Sequence, residues 1–242
     1  MSDEIRNQLA PTGVLRAGIN MANQLLVTGA TPSGEPDGVG PEFARHIADG
    51  LGVSVAYVQF ATPGELADAV TEDVWDIGLI GAEPTRAEKI AFTAAYVEIE
   101  ATYLVPEGSP FMTIQEVDSE GVRIAVSGRS AYDLYLSRSL KHAELHRAQG
   151  LPGALELFLA EKMEALAGLR PALTSDLDKV PGGRILDGQF TSVQQAVGTA
   201  RTKTEAAAYL SDVVEDAKAS GLLARLIEKH GVVGRLSVAG AA

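Results

Sequence analysis

Trp75–Tyr96 reads WDIGLIGAEPTRAEKIAFTAAY, and its reading decides the fold. The apolar run Ile77 to Ile80 is short enough for a buried strand. Gly81 breaks the run, Pro84 follows, and Arg86 stands just beyond. Phe92, Thr93 and Tyr96 close the segment with a second extended piece. A strand that ends in a glycine turn and then starts a short helix points backbone N–H groups outward at its carboxyl end. Open α/β sheets bind ligands there, and a helix start favours an anion. The Arg86 guanidinium adds a planar donor fork suited to a carboxylate. The segment therefore predicts an anion or carboxylate site at a strand-to-helix turn. The competing reading makes Arg86 a solvated residue on a short helix, neighboured by Glu83 and Glu88.

Upstream, Val14 to Ile19 is a first strand, with Asn20 to Asn23 where it should end. Gly29 to Gly38 reads as a surface turn. Pro41 to Leu51 places Phe43, Ile47 and Leu51 on one helical face, and Gly52 stops it. Val53, Val55 and Tyr57 alternate as a strand, and Thr62-Pro63 caps a helix running through Val70. With Ile77–Ile80 this makes β-α-β-α-β, the pattern of a parallel sheet covered by helices.

Downstream, Tyr96 to Val105 is extended. A second cycle follows: a strand at Arg123–Val126, the turn Ser127-Gly128-Arg129-Ser130, and a helix from Ala131 to about Leu140 with Ser130 as N-cap. A helix over Ala154–Lys162 points Leu155, Phe158 and Leu159 inward, and Ala165–Leu169 and Arg184–Leu186 are strands. Val193–Val197 is extended, and helices over Thr204–Ala219 and on to His230 end the chain. Two such cycles predict two α/β lobes, each a mostly parallel sheet flanked by helices. The first lobe takes residues 1–98 and 193–242, the second residues 99–192. No residue-level repeat between the cycles is evident.

Of the 242 residues, 20 are Lys or Arg and 32 Asp or Glu, a formal net charge of −12. That argues against nucleic acid, which needs clustered positive charge. Cysteine is absent, so disulfides, thiol catalysis and Cys-ligated zinc are excluded. The start, MSDEIRNQLAPTG, has neither a basic nor an apolar leader region. The expectation is a cytoplasmic protein as written, or a periplasmic one if a leader was removed. No window reaches the roughly 18 uninterrupted apolar residues of a spanning helix. His142 and His146 stand at i, i+4 but read as part of a solvated helical face with Lys141, Glu144 and Arg147. No metal and no cofactor is expected.

Four stretches, in order and spacing, resemble the bacterial family 3 extracellular solute-binding proteins, of the type II periplasmic-binding-protein-like fold. They are Leu15-Arg16-Ala17-Gly18; Asp37-Gly38-Val39 with Glu42-Phe43-Ala44; Trp75-Asp76 through Arg86 to Phe92-Thr93-Ala94-Ala95-Tyr96; and Val122 to Tyr132, VRIAVSGRSAY. The resemblance covers about Thr12 to His230. It implies a two-lobed, non-catalytic binder that closes on a small amino-acid-like or anionic ligand. It also implies an ABC transporter's membrane subunits as partners, and a monomer. Arg86 would take the ligand's α-carboxylate, helped by Ser130 with Arg129 beside it. The full candidate set is Asn20, Asn23, Gly81, Ala82, Glu83, Arg86, Gly128, Arg129, Ser130, Ala131, Arg170 and Gln194.

The departures concern ligand class. The family's ammonium-binding Asp would fall near Leu169-Arg170, and neither is acidic. No aromatic residue stands at Asn23 to Val27, where one often covers the ligand. Either Glu83 supplies the carboxylate, or the ligand carries no ammonium. Arg86, Arg129 and Arg170 around one cleft would suit a ligand with more than one anionic group. The alternatives are a prephenate or arogenate dehydratase using Glu83 as general acid, a leaderless cytosolic sensor, or a relative that binds a partner protein.

Overall fold

The computed structural model, which describes residues 2–240, divides the chain into two units. One takes both chain ends, up to Glu98 and from Gln194 onward; the other spans Ile99–Val193.

The first unit opens with α1 (Asp3–Leu9), a helix absent from the elements expected from sequence. Ser2 caps it by accepting from the Ile5 N–H at 3.3 Å, and Leu9 is its buried anchor. Then come β1 (Val14–Asn20), β2 (Gly29–Ala30), β3 (Pro36–Asp37), α2 (Val39–Leu51), β4 (Ser54–Phe60), α3 (Pro63–Asp68), β5 (Ile77–Gly81) and α4 (Pro84–Ala87). The expected surface turn thus contains a two-residue ladder between β2 and β3. β1 pairs in parallel with β4 on one side and β5 on the other. Phe43, Ile47 and Leu51 of α2 are fully buried, as their spacing requires. Gly38 precedes α2 at φ 148°, ψ −178°, where a Cβ would stand 2.3 Å from the Leu26 carbonyl oxygen. Only glycine accepts that backbone and that approach.

β6 (Ile90–Val105) is sixteen residues long and carries the chain into the second unit. There follow β7 (Arg123–Ser127), α5 (Ala131–Ser139), β8 (Glu144–Ala148), α6 (Gly150–Ala160), β9 (Ala165–Leu169), α7 (Arg170–Asp176) and β10 (Arg184–Ile185). β7 pairs in parallel with β8 and β9, and β9 pairs antiparallel with Ala101–Leu104 of β6. Leu155 and Phe158 of α6 pack on Leu104, Ala125 and Leu166. Leu159, expected inward, is 44% exposed, because the helix starts at Gly150 and its buried stripe runs through Ala154, Leu155 and Phe158. β8 corrects the reading of His142 and His146: His146 lies in a strand and His142 in the bend before it, so the two do not share a helical face. An edge strand with one face open needs no apolar run, which is why ELHRA did not read as one.

β11 (Thr191–Ala200) returns to the first unit and pairs antiparallel with β5 through Gln195–Gly198. It leads to α8 (Thr204–Ala219), α9 (Leu222–Lys229) and β12 (Ser237–Val238), which pairs with Val97 and Glu98. α8 packs against α1, and the Ala206 N–H donates to Gln8 Oε1 at 3.1 Å, so the chain's two ends build one unit. Among the described residues no helix is long and apolar enough to cross a membrane.

Candidate functional site

In the first unit the candidate residues gather at the carboxyl end of β5. The strand is buried along its whole length, so its end is held rigidly. The Ala82 N–H donates to the Gln194 carbonyl at 2.7 Å, fixing the turn against β11. Gln194 Nε2 donates to Glu98 Oε2 at 2.8 Å. Glu83 is the N-cap residue of α4, without a side-chain cap bond, and Pro84 opens the helix. With four residues and a proline lacking N–H in its first turn, α4 offers a weak anion-attracting terminus. The positive charge of the turn therefore rests on Arg86. Its guanidinium is buried, the residue 6% exposed, and Nη1 donates to the Gly81 carbonyl at 2.7 Å. This overturns the surface reading of Arg86. After β1, Asn20 Oδ1 accepts from the Ala22 N–H and Asn23 Oδ1 from the Leu25 N–H, both at 3.2 Å. Both asparagine oxygens thus fold the loop as Asx turns.

In the second unit the turn after β7 is tied at every residue. The Gly128 N–H donates to the Ala148 carbonyl at 2.9 Å, and Ser130 N–H to Ser127 at 3.3 Å. Arg129 sits at φ 63°, an unusual conformation for a side-chain-bearing residue. Its N–H donates to Asp133 Oδ2 at 2.7 Å, which holds it there. Ser130 Oγ accepts from the Asp133 N–H at 3.1 Å, so Ser130 caps α5, and Ala131 is its first residue. Asp133 is 2% exposed and also accepts from Arg147 Nε at 3.0 Å. The sequence reading missed Asp133, although Ser130-x-x-Asp133 has the spacing of a capping box.

Arg170 is committed within its own unit. Its Nε donates to Glu100 Oε2 at 2.6 Å and its Nη2 to the Leu186 and Gly188 carbonyls. Of the three arginines expected around one polyanion, Arg170 thus has Glu100 as a partner within its own unit.

The model of the bacterial extracellular solute-binding proteins, family 3, matches residues 15–233. The chain belongs to that family. No curated protein sequence is significantly similar to it. Solved structures share its fold at low identity. A cysteine-binding protein from Campylobacter jejuni superposes with a TM-score of 0.77 at 13% identity, over 99% of this chain and 100% of that one. A mutant of ArgBP from T. maritima gives 0.74 at 20%, over 94% and 99%. The ancestral amino-acid-binding protein AncCDT-1, a precursor of cyclohexadienyl dehydratase, gives 0.73 at 18%, over 92% and 97%. At such identities the likeness speaks for the fold alone. Leu169 and Arg170 stand where β9 meets α7, and Arg170 is paired to Glu100.

Proposed function

We propose that this family 3 protein binds a small carboxylate-bearing ligand without catalysing a reaction, for an ABC-type transporter, and that Arg86 holds the ligand's carboxylate. One observation carries the reading: Arg86 is a buried guanidinium at the carboxyl end of a fully buried strand, one arm oriented by the Gly81 carbonyl. A pre-oriented planar fork suits bidentate capture of a carboxylate, because little side-chain freedom is left to lose on binding. The Gly128–Ala131 turn supplies further contacts in this reading, with the network around Asp133 setting its shape. Leu169 and Arg170 offer no carboxylate for an ammonium group. A buried ammonium without an acidic partner costs several kcal/mol, a large share of the ~8 kcal/mol of a micromolar complex. The favoured ligand is therefore an organic anion lacking an α-ammonium, the alternative being an amino acid whose ammonium is taken by Glu83.

The test is a thermal-shift screen of mono- and dicarboxylates beside neutral amino acids, followed by calorimetric titration of the hits. A true ligand at a hundredfold over Kd stabilises by about 2.7 kcal/mol. Arg86→Ala should abolish that shift. Stabilisation by several neutral amino acids and by no carboxylate lacking an ammonium would refute the ligand class. Retention of full affinity in Arg86→Ala would refute the site. Turnover of prephenate or arogenate, lost in Glu83→Gln, would replace the binder with an enzyme.

A further inference from the structure

The first unit contains a second polar cluster that the carboxylate site does not use. It joins Asp37 at the end of β3, Glu42 in the first turn of α2, and His230 just after α9. One ligand atom from each lies within 4.8 Å of the others. We propose that these three side chains bind a divalent transition-metal ion of the zinc class.

The decisive observation is the state of His230. Its side chain is only 6% exposed, and its Nε2 is buried without a hydrogen-bond partner. That Nε2 stands 3.3 Å from Glu42 Oε1. The other ring nitrogen, Nδ1, lies 3.2 Å from Thr28 Oγ1. With Nδ1–H donating to Thr28, the Nε2 lone pair faces a carboxylate oxygen. In that tautomer the two acceptors repel unless a metal ion lies between them; in the other, the Nε2 proton fills the gap. Tetrahedral zinc, with bonds of ~2.0–2.1 Å to nitrogen and oxygen, holds neighbouring ligand atoms roughly 3.3–3.4 Å apart. The observed separation matches that edge.

The surroundings fit the same ion. A ligating histidine typically donates its other N–H to a fixed acceptor, and Thr28 Oγ1, 3.2 Å from Nδ1, is placed to be that acceptor. Asp37 Oδ1 accepts from the Gly38 N–H at 3.0 Å, which orients the carboxylate. Two carboxylates and one imidazole are a nitrogen–oxygen donor set; magnesium and calcium prefer oxygen alone. A cavity of about 470 Å³ bordered by Asp37, Glu42 and Lys229 gives solvent access. The competitor is Lys229, whose Nζ donates to Glu42 Oε1 at 2.5 Å. Its side chain is 61% exposed, so it is free to swing into water and leave Glu42 to the ion.

The experiment titrates the chelator-treated full chain with zinc chloride by calorimetry, and with cobalt by visible absorption. One ion per chain is expected, with a cobalt spectrum of low-coordinate nitrogen–oxygen ligation, and no response to magnesium. His230→Gln and Glu42→Gln should each weaken zinc by more than tenfold, and Thr28→Val by ~10-fold. Lys229→Met should tighten it several-fold, because it removes the competing cation. If circular dichroism shows His230→Gln unfolded, Asp37→Asn and Lys229→Met carry the decision. Zinc affinity unchanged in Glu42→Gln and Asp37→Asn would overturn the proposal, as would loss of binding in His142→Gln or His146→Gln. Unchanged or weakened affinity in Lys229→Met would do the same, since the hydrogen bond to Glu42 would then be the cluster's purpose.

Discussion

Asp76→Asn tests how the two chain ends are held in one unit. The Asp76 carboxylate is fully buried just before β5. It accepts from the Arg16 backbone N–H at 3.0 Å, from Arg16 Nε at 3.0 Å and Nη2 at 2.9 Å, and from Lys203 Nζ at 3.1 Å. Arg16 belongs to β1, and Lys203 precedes α8, so one carboxylate joins the chain's start to its end. The substitution keeps the shape, removes the charge, and turns an amide N–H₂ toward one of these donors. Breaking a buried pair by removing one partner costs about 3–5 kcal/mol. The Arg16 and Lys203 side chains are 28% and 20% exposed and regain some water, which favours the lower end, about 3 kcal/mol. At ~2–4 °C per kcal/mol for a chain of this size, Tm should fall by ~6–12 °C. Differential scanning calorimetry at pH 7 measures it.

The pH profile adds a check of sign. Burial alone would raise the Asp76 carboxyl, but the hydrogen bonds from Arg16, aided by Lys203, outweigh it and hold it below the ordinary value. A depressed folded-state value gives stability that is fully present above the unfolded value of ~3.9 and is lost as pH falls below it. The gap between wild type and variant should hold from pH 7 to ~5 and close below pH ~4. A Tm change under ~2 °C at pH 7, or a gap that widens in acid, would show that the triad contributes little.

Two further substitutions separate backbone from charge effects. Gly38→Ala should lower stability by about 3 kcal/mol or more, read from the urea midpoint, because the added Cβ meets the Leu26 carbonyl at 2.3 Å; a loss under ~1 kcal/mol would mean that the 26–38 loop relaxes freely. Glu164→Gln removes the partner of Arg123 at 2.8 Å, but both side chains are about one-third exposed, so the expected loss is under ~1 kcal/mol by the same assay.

The sequence carried most of the regular elements, because apolar spacing reports burial directly. Phe43, Ile47 and Leu51 marked α2, and Ile77–Ile80 marked β5, each within two residues of its observed start. The small or open elements escaped. α1 has one buried residue, and β2 and β3 are two residues each. β8 is an edge strand with charges at Glu144 and Arg147. At the candidate site, the burial of Arg86 was not decided by the residues around it, since Glu83 and Glu88 suited a solvated helix equally well. The pairing of Arg170 was not legible, because Glu100 lies 70 residues away and nothing local signals the contact. Asp133 was within reach through its capping spacing, but its bond to Arg147 was not.

A repeat between the two units, invisible as sequence identity, emerges once the charge pairs are compared. Arg16 lies on β1, the strand flanked in parallel by β4 and β5; Arg123 lies on β7, flanked in parallel by β8 and β9. Asp76 immediately precedes β5, and Glu164 immediately precedes β9. Each acid accepts from its arginine's backbone N–H, at 3.0 and 2.8 Å, and from its Nε, at 3.0 Å in both. The physical reason is common to both. Where a parallel strand starts beside a central one, a carboxylate can close the first rung of the ladder and neutralise the cation on the neighbouring strand at once. Leu15-Arg16-Ala17 and Val122-Arg123-Ile124 then correspond, as do Trp75-Asp76-Ile77 and Met163-Glu164-Ala165. The same correspondence sets β8 against β4, which is the strand the apolar pattern failed to reveal. It also sets the Arg170-Pro171 helix start against the Pro84–Arg86 turn. Both units place an arginine where a strand of the parallel set gives way to a helix, but with opposite use. In the first unit the guanidinium is buried on the Gly81 carbonyl; in the second it reaches Glu100 and closes its own unit. The two turns come from one architectural pattern and differ in what their arginines hold: a backbone carbonyl in the first unit, a carboxylate in the second.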